Sequence, residues 1–308
     1  ASGAISGLGN LTLADVGGTA TFSANVAAAA LSADSTVANL VFTGASNTFS
    51  AASTLANDGT LQFGDATGDS FTFNGGLTTS DVGGTVTLNT SISTSNDALV
   101  FGAITLGNNI TLDTNATNTT GDLTIGAVTG GSNTLTLTTE NNIANADITA
   151  SGNISGVTTL TLTSVGGTAT FAGDVDVTTL AVGNTVANVA LNGNGSTITN
   201  DIDFANDGTL QLGDASGDTL TFNGGLDTSD VGGTVTLNGT IDTSNDAITF
   251  DAVTLGRATT IDTNATDTTG DIAIGVVTGG SNALTLSMGN NVANTDISAT
   301  GNISGVPT

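Results

Sequence analysis

The chain has 308 residues and a formal charge of −26, with 27 acidic side chains against one basic residue, Arg257. One arginine cannot neutralise a phosphate backbone or an anionic bilayer, so nucleic acids and acidic membranes are excluded as partners, while cations and neutral glycans remain. Disorder is excluded too: 38% of residues are hydrophobic and only 9% charged, whereas a disordered acidic chain combines low hydropathy with high charge density.

Read from the N-terminus, Ala1–Leu8 (ASGAISGL) opens a pattern of short strands separated by glycine-rich turns. Asp58-Gly59 precedes the apolar-polar-apolar triplet Leu61-Gln62-Phe63, and Asn74-Gly75-Gly76 and Gly83-Gly84 bracket the next segment. Val86-Thr87-Leu88 and Leu135-Thr136-Leu137 repeat the triplet, with Gly130-Gly131-Ser132-Asn133 as the turn before the second. Period-two alternation predicts strands with one face inward, and no glycine-free apolar stripe exists to make a helix.

At Ala150 the sequence starts again as ASGNISGV, and the chain aligns with itself at a shift of 149 residues without a gap. ANDGTLQFGDATGDSFTFNGGL from Ala56 returns as ANDGTLQLGDASGDTLTFNGGL from Ala205, and ATGNISGV from Ala299 begins a third copy. The expected organisation is therefore copy one at 1–149, copy two at 150–298 and the start of a third at 299–308 in one continuous solenoid. Paired positions differ by swaps such as Phe63/Leu212 and Leu99/Ile248, which a packed interior tolerates.

A finer period lies inside the long one. Apolar strand ends at Phe63, Leu88, Leu112, Leu137 and Leu162 are spaced by about 25 residues, which predicts about six coils per copy. A unit with two or three such short strands cannot bury its own apolar face, but stacked units share a core. The sequence thus predicts an all-β, right-handed parallel β-solenoid, with six coils advancing about 29 Å. A β-sandwich array lacks this fine period, and a membrane β-barrel carries Tyr and Trp girdles that this chain does not have. No apolar run reaches the length of a transmembrane helix.

Chemistry is constrained by what is missing. Without His, Cys or Lys, a Ser or Thr nucleophile has no usual base, and zinc or haem has no usual ligand. Paired carboxylates could in principle cleave glycosides, and Asp65 with Asp69 in GDATGD is the best such pair. Asp214 and Asp218 recreate it in copy two, as turn residues do and active sites do not, so the expectation is no enzyme. Calcium is the candidate ion, at the turn aspartates Asp58, Asp65, Asp69, Asp81, Asp207, Asp214, Asp218 and Asp230, although neither an EF-hand loop nor the calcium-binding nonapeptide is present. No cofactor is required. Ten Asn-X-Ser/Thr tripeptides are scattered through so Asn- and Thr-rich a chain, as chance alone would place them. Arg257 replaces Asn108 of copy one and is expected in a surface ion pair.

With its GGTVTLN, NITLDTN, TGDLTIGAV and SGNISGV segments, the chain resembles bacterial filamentous-haemagglutinin-like and autotransporter-type β-strand repeat proteins. The resemblance implies a large exported surface protein, built as a right-handed β-helix and serving as fibre, sheath, stalk or biofilm scaffold. It carries no catalytic or ligand residues to transfer. The expectation is an extracellular or cell-surface structural protein whose coils stack end to end with other copies through Ala1–Thr12 and Ala299–Thr308. The alternatives are an adhesin module binding glycans or a surface ligand and, less favoured, a carboxylate glycosidase.

Overall fold

The computed structural model describes residues 1–307, so the last residue of the expected third copy, Thr308, lies outside the described residues. Among these there is no helix; the chain forms a parallel β-solenoid of about 14 turns. It divides into two compact units, the first Ala1–Thr158 with Thr163–Gly167, the second Thr159–Leu162 with the residues from Thr168 onward.

In the first unit each coil has three strand faces. The first face stacks Thr19–Phe22, Asn39–Phe42, Leu61–Phe63, Val86–Leu88, Ile104–Leu106 and Val128–Thr129, each hydrogen-bonded in parallel to the next. The second stacks Ser46–Phe49, Ser70–Phe73, Ile92–Thr94, Ile110–Asp113 and Leu135–Thr138. Ser53–Leu55, Leu77–Thr78, Leu99–Val100, Leu123–Ile125 and Ile148–Ala150 form the third. Alternation supplies the core, because in triplets such as Leu61-Gln62-Phe63 the outer two side chains are buried and the middle one looks out. Parallel register then lays like on like: Leu40, Leu61, Val86, Ile104, Val128 and Ile154 occupy successive rungs of one buried column.

The coils are shorter and less equal than the sequence period suggests. From Leu40 the first-face steps are 21, 25, 18, 24 and 26 residues. From Val189 in the second unit they are again 21, 25, 18, 24 and 26. The mean is about 22 residues, giving about seven coils to each copy instead of six. The 25-residue series drifts between faces: Phe63 and Leu88 lie on the first, Leu112 and Leu137 on the second. The partner of Leu88 is in fact Leu106, only 18 residues on. Apolar strand ends look alike on every face, so the short coil was invisible in the spacing.

Corners are held by side chains that bond to the neighbouring rung. Asn39 Oδ1 accepts the N–H and hydroxyl of Thr60, each at 2.9 Å, and Asn188 does the same for Thr209. The wholly buried Asn57 donates from Nδ2 to the carbonyls of Gly59 and Thr60 at 3.1 and 3.0 Å, a role repeated by Asn206. Coils can therefore close without a conventional hairpin, because a side-chain amide supplies the donors the turning backbone would otherwise lack.

Candidate functional site

The aspartates singled out in the sequence sit at two kinds of corner. GDATGD links the first face to the second. Gly64 and Gly213 enter it with φ of +75°, in the left-handed region that favours glycine. In copy one the Asp69 carboxylate accepts the backbone N–H groups of Asp65 and Ala66 at 3.0 and 3.2 Å. In copy two Asp218 accepts those of Asp214 and Ala215, both at 2.7 Å, and is itself only 5% exposed. These carboxylates close a tight turn by holding its amides, as an Asx-type cap does.

Asp58 and Asp207 lie at the other corner, between the third face and the first, where their N–H groups donate to the carbonyls of Val37 and Val186 at 2.9 Å. The Asp81 loop stacks one coil further on, with Gly83 seated against the Asp58 carbonyl; Gly232 repeats this contact at Asp207. Asp81 and Asp230 are exposed. Successive coils thus bring Asp58 towards Asp81, and Asp207 towards Asp230, as pairs. Among the described residues no group of three or more acidic side chains converges on one point.

Two hollows gather other acids. In the second unit, a hollow of about 490 Å³ is lined by Asp201, Asp203, Asp227 and Asp246 on the third face. Asp203 and Asp227 are in register on adjacent rungs. Burial, then the charges of Asp227 and Asp230, holds the Asp203 carboxyl above its usual range. In the first unit a smaller hollow of about 210 Å³ on the second face is lined by Asp69, Ser93 and Asp113, among others. Burial pushes the Asp113 carboxyl up to about 6, with the Asn115 N–H opposing and the Glu140 charge adding to the rise. Neither hollow was marked by sequence motif. The signal available was comparative: Glu140 is the only glutamate, and Asp203, Asp227 and Asp242 stand where copy one has Thr54, Thr78 and Ser93.

Arg257 does not form the expected ion pair. It is exposed, and its guanidinium approaches only the neighbouring Gly256 carbonyl, at 3.5 Å. No aspartate projects from the adjoining rung beside it, since the strand partners nearby are Gly239, Thr259 and Leu284. All eleven phenylalanines are buried, so no aromatic platform is exposed on any face.

No family model, no curated protein and no solved structure matches the chain.

Proposed function

We infer that the chain is an extracellular structural repeat protein, of the filamentous-haemagglutinin-like kind its motifs resemble, that builds a fibre, sheath or stalk by stacking coils end to end. The observation that carries this reading is the repetition of the same unequal series of coil lengths, at the same register, in both copies. A structure that adds a second copy by repeating its rungs can add a third by the same hydrogen bonds. The outermost described coils leave strand edges and apolar side chains open, with Leu8, Ile297 and Ile303 each more than 40% exposed. A further coil, from the same chain or from another copy, would cover them. A side wall carrying so much negative charge disfavours lateral clumping and leaves axial growth as the favoured contact.

Electron microscopy of the purified protein in millimolar calcium tests the reading. Filaments with an axial repeat of about 34 Å, seven rungs of the strand spacing, are expected. Discrete short rods that never lengthen with concentration would overturn self-docking. The adhesin reading ranks second, because the absence of exposed aromatics removes the usual stacking surface for sugars.

A further inference from the structure

Parallel register places one outward column of the second face under unusual strain. In copy two the column runs Thr221, Asp242, Asp262, Ser287 on successive rungs. In copy one the corresponding positions are Thr72, Ser93, Asp113 and Thr138. Each copy thus keeps one aspartate in common, Asp113 or Asp262, and each gives it a second carboxyl from a different place. Copy two supplies Asp242 from the rung before. Copy one supplies Glu140, two residues past the next rung's Thr138, with its backbone turned to φ of 50° and its N–H donating to the Thr138 hydroxyl at 3.1 Å. Where copy one has Glu140, copy two has Gly289; where copy two has Asp242, copy one has Ser93.

We propose that each copy carries a proton-sharing carboxyl pair on its second face, Asp113 with Glu140 and Asp242 with Asp262, which tightens the solenoid in mild acid and loosens it above neutrality. Two carboxylates on adjacent rungs of a parallel sheet are held about 4.8 Å apart by the backbone itself, so they cannot separate to relieve repulsion. One proton placed between them converts that repulsion into a hydrogen bond from carboxyl to carboxylate. The Glu140 side chain lies within hydrogen-bond reach of the Asp113 carboxyl. Asp242 Oδ1 is buried without a partner, as a carboxyl oxygen awaiting a donor would be.

No opposite charge quenches either pair. Asp113 faces Ser93 on one side and Thr138 on the other, with Asp69 lining the same hollow. Asp242 faces Thr221 and Asp262; Asp262 receives the Ser287 hydroxyl at 3.0 Å and the Asn264 N–H at 3.0 Å. The only side-chain cation, Arg257, lies five residues before Asp262 and turns to the Gly256 carbonyl. Burial raises the Asp242 carboxyl, the Thr221 hydroxyl opposing and Asp262 adding, which agrees with the geometry. A carboxyl that holds its proton more tightly folded than unfolded favours the fold when protonated. For Asp113 that contribution is fully present below its ordinary value of 3.8 and is lost as pH rises through about 6. The pairs belong to each copy alone and stand whether or not chains associate.

Glu140 being the sole glutamate, a chain labelled with carbon-13 at the glutamate carboxyl gives a single resonance to titrate. Two inflections are expected, collapsing to one in Asp113→Asn; one inflection unchanged by that substitution overturns the pair in copy one. For copy two, Asp242→Ser installs the residue copy one already carries, so the fold is expected to survive. In wild type, Tm should fall between pH 5 and pH 8, each pair contributing on the order of 2–4 °C. Asp242→Ser with Glu140→Gly should remove that share. A fall of equal size in the double variant would assign the pH response to the general charge and overturn the proposal.

Discussion

The two copies trace the same path and fill it differently. In the first unit Phe22, Phe42 and Phe63 stack on successive rungs, with ring centroids 5.0 and 6.0 Å apart and planes within 14° of parallel, while Phe49 stacks on Phe73 at 4.8 Å. Phe71 meets Phe63 edge-on at 5.2 Å and joins these columns into one aromatic cluster. In copy two, Leu191, Ile198, Leu212 and Leu220 replace Phe42, Phe49, Phe63 and Phe71, and one aromatic contact remains, Phe204 against Phe222 at 6.3 Å. Yet the coil lengths and pairings are the same. Register in this fold is therefore set by backbone ladders and corner side chains, and the core needs only apolar volume of the right total.

The largest effect that would break this equivalence is a core truncation. Phe63→Ala removes a ring with three aromatic neighbours and should cost about 3–5 kcal/mol, against about 2–5 for Leu212→Ala at the matching site. Denaturant melts of the two variants would show it; equal losses would mean that the aromatic contacts add nothing beyond buried area. Next come the turn carboxylates. Asp218→Ala strips a buried acceptor from two amides and should cost about 1.5–3 kcal/mol, while Asp69→Ala, with longer bonds and a more open site, should cost less. Thermal unfolding of the pair ranks them directly. If either carboxylate were a cation ligand instead, its loss would also abolish any stabilisation by added calcium.

The smallest effect sharpens the contrast on the third face. Replacing Asp203 and Asp227 by threonine, as in copy one, removes in-register repulsion and should stabilise the second unit at neutral pH by no more than about 0.5 kcal/mol. Because the folded Asp203 carboxyl titrates above its ordinary range, the gain should fade as acid protonates it. Melting curves for wild type and variant should therefore converge at low pH.

Much of this was legible before any coordinates. Leu61-Gln62-Phe63 and its relatives declared their strands by alternation, and Asp58-Gly59 and Gly83-Gly84 declared corners. The turn role of Asp69 and Asp218 was also foreseeable, since both copies place them identically in Gly-flanked loops. The coil count was not, because an apolar residue at a strand end carries no mark of which face it serves. Nor were the carboxyl pairs. Asp113 and Glu140 are 27 residues apart, and only the rung spacing converts that separation into contact. Asp242 and Asp262 are 20 apart, a distance that matches neither the expected period nor the mean one.

The unequal coils have one more consequence. A solenoid of identical turns has a degenerate ladder, in which any strand can settle one rung too early and still find a partner of the right kind. Here a strand that skipped ahead would have to join corners through a loop of 18 residues where 25 are needed, or strand 7 surplus residues in the opposite case. The irregular series works as a combination lock along the axis. Only one alignment satisfies every corner at once, so the protein can use a monotonous palette of Thr, Asn, Gly and aliphatic residues without losing its place while it folds.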